Sequence, residues 1–120
     1  MSIEDLTHSN LAHFSGSERL YVNPFFKAAN YTEGVKFVSD NGAAWLVTDM
    51  LAVLLHHGTV KMEEFVSITI KKDSKGGAIV IYDDGNGTIL YSQSYPVTDF
   101  PLDEVMFFFT NQVLMLASEY

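Results

Sequence analysis

The stretch that most limits what this chain can become is AAWLVTDMLAVLLHH, residues 43 to 57, with FVSITIK, residues 65 to 71, close behind it. Placed at about 100° per residue, Leu46, Val47, Met50, Leu51, Val53, Leu54 and Leu55 cover more than half of a helix circumference. A helix apolar over so wide an arc is buried on several sides, which makes it the core helix. In the second stretch the period falls to two. Val66, Ile68 and Ile70 point one way, and Ser67, Thr69 and Lys71 the other. That is a strand with one buried face, and the pair specifies an α+β domain with the helix lying on a sheet.

Ala78 to Asp83 and Thr88 to Tyr95 read as two further strands, joined to the first through Asp73-Ser74-Lys75-Gly76-Gly77 as an antiparallel meander. Between them, DDGNG at 83 to 87 resembles a ligand loop. A calcium loop, however, alternates oxygen ligands and ends in a distal carboxylate, and here none follows until Asp99. A phosphate loop opens a helix and carries a lysine, whereas this segment returns into a strand. Asn86-Gly87 therefore reads as the centre of a type I′ hairpin, with Tyr82 opposite Tyr91 and Ile81 opposite Ser92.

The rest of the chain supplies smaller elements. Ser2 caps a peripheral helix that reaches Phe14 and stops before Ser15-Gly16-Ser17. Asn23-Pro24 marks a turn or a helix start. Thr32 caps a helix running to about Asp40, closed by Gly42. Beyond Pro96 to Pro101, residues Leu102, Val105, Met106 and Phe109 fall at i, i+3, i+4 and i+7. This spacing predicts a helix with Asp103 and Glu104 in its first turn and Thr110-Asn111 at its end. Val113 to Ala117 alternate as a last strand. The expected fold is one globular domain, residues 1–120: an antiparallel sheet of about four strands against one central helix, plus two or three smaller helices, residues 1–14 being the peripheral one.

Three stretches, YTEGVKFVSDNGAAWLVTD, DGNGTILYSQSYPVTDFPL and the C-terminal ASEY, resemble a small family found in bacterial, plasmid and phage-related sequence and catalogued only as a domain of unknown function. The resemblance spans residues 14 to 120. It implies a self-contained domain accessory to a mobile element and offers no catalytic residue to transfer.

Charge excludes more than it identifies. Fifteen acidic side chains oppose seven basic ones, a net charge of −8, and only Lys71, Lys72 and Lys75 cluster. Nucleic-acid binders depend on cations that displace counterions from phosphates, so no direct DNA or RNA contact is expected. Cysteine is absent, which removes disulfides, thiolate zinc sites and a cysteine nucleophile together. The apolar run from Ala43 to Leu55 is interrupted by Thr48 and Asp49 and is too short to span a bilayer, and MSIEDLTHSN has no apolar signal core. A cytoplasmic protein is expected, with no membrane partner.

Chemistry-bearing residues are sparse. His56 and His57 point about 100° apart on a helix and cannot share one metal there. Trp45, Asp49, Ala52 and His56 form one stripe, which makes Asp49 and His56 the weak candidates for acid–base work, although about 10 Å separates them along the axis. No cofactor and no metal site is expected. The protein-interaction candidates are the acidic pairs Glu63-Glu64, Asp83-Asp84 and Asp103-Glu104, together with Tyr82, Tyr91 and Phe107. Val80, Tyr82, Ile89, Tyr91 and Tyr95 share one hairpin face, and Ile79, Ile81 and Leu90 the other; with helices on only one side the tyrosine-rich face is left exposed as an interface, unless Leu20 to Phe26 covers it.

The leading functional expectation is a non-catalytic acidic module that occupies a basic surface on a host nucleic-acid-handling or defence protein. The alternatives are a homo-oligomer, a homodimer included, held through the aromatic face or Phe107, and a small-molecule or enzymatic site at Asp49 and His56.

Overall fold

In the computed structural model, which describes residues 5–14 and 19–120, the sheet has seven strands rather than about four. They are β1 (Leu20–Asn23), β2 (Phe26–Thr32), β3 (Phe65–Lys72), β4 (Ala78–Asp83), β5 (Ile89–Tyr95), β6 (Glu104–Thr110) and β7 (Val113–Leu116). Their order is β1-β2-β7-β6-β3-β4-β5. The sheet is mixed, because β2 runs parallel to β7 with Asn30 beside Val113, while every other pair is antiparallel. The helices are α1 (His8–Leu11), α2 (Glu33–Val38) and α3 (Ala44–His56).

Thr32 ends β2 and starts α2 by accepting the Val35 N–H on its hydroxyl. Asn41 and Gly42 then leave helical geometry, Gly42 at φ 103°, and α3 begins on a new course. Among the described residues, Glu33–His56 is the helical stretch long and apolar enough to cross a membrane. Here it is broken at Gly42, and α3 buries Leu46, Val47, Met50, Leu51 and Leu54.

The strand register shows which sheet face they meet. Tyr91, Tyr82, Ile68, Phe107 and Leu116 stand in one row across five strands. The Tyr95 hydroxyl reaches Asp49 of α3 on that face, and Leu116 lies directly under Gly34 of α2. Both helices therefore lie on one face, and the core sits between them and this row. The tyrosine-rich face is the covered one.

Further expectations need correction. The segment after Pro101 is a strand, β6, not a helix. Val105, Phe107 and Phe109 are buried in alternation with exposed Met106 and half-buried Phe108, and pair with Ile70, Ile68 and Val66. The helical spacing there was a coincidence of four apolar residues. It left Phe107 outside its stripe, and a run of three phenylalanines favours a pleated surface.

The type I′ turn is also elsewhere. Asn111 and Gln112, at φ 53° and 62°, join β6 to β7 as such a turn. Between β4 and β5 the positive φ values fall on Gly85 and Gly87, not Asn86. The register is as expected at Tyr82–Tyr91 and Ile81–Ser92, then shifts so that Asp83 faces Ile89. The aspartates close this turn on backbone N–H groups. Asp83 Oδ1 accepts from Gly85 at 2.7 Å, and Asp84 Oδ1 from Asn86 at 2.8 Å and Thr88 at 3.2 Å.

Finally, Leu20 to Phe26 covers no face. It forms the β1–β2 hairpin, whose turn is held by the Phe25 N–H donating to Asn23 Oδ1 at 2.9 Å, and it lengthens the sheet. The N-terminal helix is a single turn capped by Thr7, with Leu6 and Leu11 buried. The Ser2 cap and the Ser15–Ser17 stop lie outside the described residues.

Candidate functional site

α3 carries Asp49 to the flank of the sheet formed by β5. The Tyr95 hydroxyl donates to Asp49 Oδ2 at 2.8 Å, and Trp45 meets the Tyr95 ring edge-on at 5.3 Å between centroids. Tyr82 sits beneath this pair, fully buried, its hydroxyl without a hydrogen-bond partner among the described residues. Burial pushes the Tyr82 phenol far above the usual tyrosine range, and the nearby Tyr95, Asp49 and Tyr91 push the same way. Burial and then the bond to Asp49 raise Tyr95 in turn. These are groups held protonated, which suits packing better than proton transfer at neutral pH.

His56 goes to the other flank. Its ring lies 6.1 Å from that of Phe26, in a cleft of about 440 Å³ shared with Lys61, Glu63, Phe109 and Gln112. Asp49 and His56 thus take different partners, and no acid–imidazole pair forms. His57 ends the helix, accepting the Val60 N–H on Nδ1 at 3.4 Å and lying 4.3 Å from the Tyr91 ring. Among the described residues no three His, Asp or Glu side chains gather as metal ligands would.

The tyrosine pair gives a direct check. In an alkaline titration followed by phenolate absorbance, Tyr82 and Tyr95 are expected to stay protonated while the chain is folded. Their contribution to stability is fully present below the unfolded-state value of about 10 and is lost as pH rises from there through the higher folded values. Stability should therefore fall above that pH, and Tyr82→Phe with Tyr95→Phe should flatten the fall. An unchanged alkaline profile in the double variant would count against the assignment.

The protein-interaction candidates divide. Tyr82 and Phe107 are fully buried and offer nothing to a partner, and Tyr91 is half-buried on the helix side. The acidic pairs stay near the surface but do not form one patch. Glu63 and Glu64 precede β3, and Asp83 faces Ser67 near that same end of the strand. Asp103 and Glu104 lie at the other end, where Glu104 pairs with Lys71 at 3.7 Å. The separation along β3 is about 13 Å. That ion pair is solvent-exposed and contributes little to stability.

What sequence reasoning missed lies on the sheet face away from α2 and α3. Ile79, Ile81, Met106, Phe108 and Met115 share it, with Ser67 and Thr69 between them. At one end Phe65, Phe108 and Tyr120 form a trio with centroids 5.2 to 5.6 Å apart. Met106 is 39% exposed, Ile89 64% and Tyr120 73%. Among the described residues no helix covers this face. The available signal was Phe108, which fits neither the supposed helix stripe nor a polar strand face.

No curated protein and no solved structure matches the chain. The sequence does match a family of unknown function, DUF6876, over residues 5–120, and the chain belongs to that family.

Proposed function

We propose that the protein is a non-catalytic binding module that lays the uncovered face of its sheet on a basic, partly apolar surface of another protein in the cytoplasm. The observation that carries this reading is the one-sided sheet: a seven-stranded layer with helices on one face and Ile81, Met106, Phe108 and Tyr120 on the other. Apolar surface with a charged rim is the anatomy of a protein interface. Carboxylates at both ends of that face, on a chain of net charge −8, favour a cationic partner. A groove that normally holds nucleic acid has that chemistry, and an accessory protein of bacterial or phage mobile elements that fills it acts as an inhibitor.

The test uses proteins from a bacterial lysate retained on heparin, a fraction enriched in nucleic-acid-binding grooves. Immobilised wild type is expected to capture members of this fraction at low salt, to release them at high salt and to lose them to added DNA. Met106→Lys with Phe108→Lys should reduce capture at least about tenfold, because the apolar centre carries the affinity and the rim the encounter rate. Capture that is unchanged in this variant and insensitive to salt would remove the reading.

A further inference from the structure

The sheet has two outer strands, and they differ. β1 has four residues and β5 seven. β5 bonds to β4 along one side only, so about half of its backbone N–H and C=O groups point outward along the other. Outer strands usually carry a lysine, an inward charge or a proline that discourages pairing with another chain. β5 has none of these, and no charged residue stands between Asp84 and Asp99. The register shift beside Asp83 disturbs one end of the strand and Pro96 closes the other. Tyr91 to Tyr95 remain as a regular pairing edge.

Those residues read Tyr91-Ser92-Gln93-Ser94-Tyr95, the same in both directions. We propose that two copies of the protein associate through β5, antiparallel and in register about Gln93, so that one sheet continues across the dimer. Each position then meets its chemical like: Gln93 faces Gln93 of the second copy, Ser92 faces Ser94, and Tyr91 faces Tyr95. Amide pairs and hydroxyl pairs hydrogen-bond across an antiparallel ladder, and opposed aromatic rings pack. Tyr91 and Tyr95 are half-buried, already backed by His57 and Trp45, so rigid rings are presented at the edge. The charge argument points the same way. Two copies at −8 each approach with least repulsion along a neutral strip, and β5 supplies one.

The two-fold axis runs perpendicular to the sheet. Both α3 helices therefore fall on one side of the dimer and both uncovered faces on the other. The dimer uses the edge and leaves the proposed docking face free, so either proposal can fail without the other.

Sedimentation of the full chain over micromolar concentrations is expected to show a monomer–dimer equilibrium. Gln93→Lys and Gln93→Glu, each alone, set like charges about 5 Å apart across the axis and should weaken self-association at least about tenfold. An equimolar mixture of the two should restore the dimer, an outcome specific to a register centred on Gln93. The chain has no cysteine, so Gln93→Cys is expected to give a disulfide-linked dimer under mild oxidation, directly opposed residues being within bridging distance. A wild type monomeric throughout, or a dimer indifferent to either charge, or a mixture no tighter than its components, would overturn the proposal.

Discussion

Replacing Gly34 by alanine is expected to lower the unfolding free energy by about 2–4 kcal/mol, although the same change in an exposed helix would raise it by about 1 kcal/mol. The reason is a carboxylate that arrives from the far end of the chain. Glu119 Oε1 accepts the Thr32 hydroxyl at 2.6 Å and the Leu116 N–H at 3.0 Å, and Oε2 accepts the Gly34 N–H at 3.2 Å. Gly34 is in the first turn of α2, where backbone N–H groups have no partner within the helix and a negative charge is favoured. One side chain thus ties the end of β2, the start of α2 and the end of β7.

A methyl group on Gly34 would point into that carboxylate, about 2.8 Å from Glu119 Cδ and 2.6 Å from Leu116 Cδ1. Leu116 is 2% exposed and has no room to withdraw. Either Glu119 leaves, giving up its charge-assisted bonds, or the core shifts. Both outweigh the gain in helix propensity. Glu119→Ala should cost a similar amount, and the double variant less than the sum, since the methyl group then enters space the carboxylate has vacated. Urea denaturation of the three variants decides it. A Gly34→Ala protein as stable as wild type would show that Glu119 does not hold this corner.

The elements with one strong local period were legible in the residues themselves. α3 and the β3–β4–β5 meander match the expectation to within a residue or so, because a wide apolar arc and a clean alternation each admit one reading. The β1–β2 hairpin and β6 were not legible, for two different reasons. Leu20–Asn23 is short, has no alternation and is fixed only by pairing with β2. In EVMFFFT nearly every position is apolar, so helical and extended spacings both find matches, and the pairing with β3 decides between them. The parallel contact of β2 with β7 joins residues 30 and 113, and no local pattern announces it. The same limit applies to sites. Asp49 stood out as an acid in an apolar helix, but its partner Tyr95 is 46 residues away. The faces of the hairpin were sorted correctly for Val80, Tyr82, Tyr91 and Tyr95, but the register shift beside Asp83 takes Ile89 out of that set, and which set the helices would cover depended on strands that had not been recognised.

Phe107 and Phe108, adjacent in β6, are expected to separate stability from binding. Phe107 is fully buried and stands in the central row between Ile68 and Leu116. Its replacement by alanine opens a cavity under the helices and should cost about 3–5 kcal/mol, a large share of the stability of a domain this size. Phe108 points the other way. It is half-buried against Phe65 and Tyr120, so Phe108→Ala should cost about 1 kcal/mol while removing the centre of the proposed docking face. The two variants differ only in which face of one strand they strip, so composition, charge and position along the chain are controlled. Denaturation midpoints together with capture from the heparin-retained fraction read both effects. Equal destabilisation would mean that the second face is packed as tightly as the first, and a sheet closed on both sides has no face left to offer. A stable Phe108→Ala protein that has lost capture, beside a Phe107→Ala protein that is unstable yet still binds when folded, is the pattern that a one-sided sheet requires.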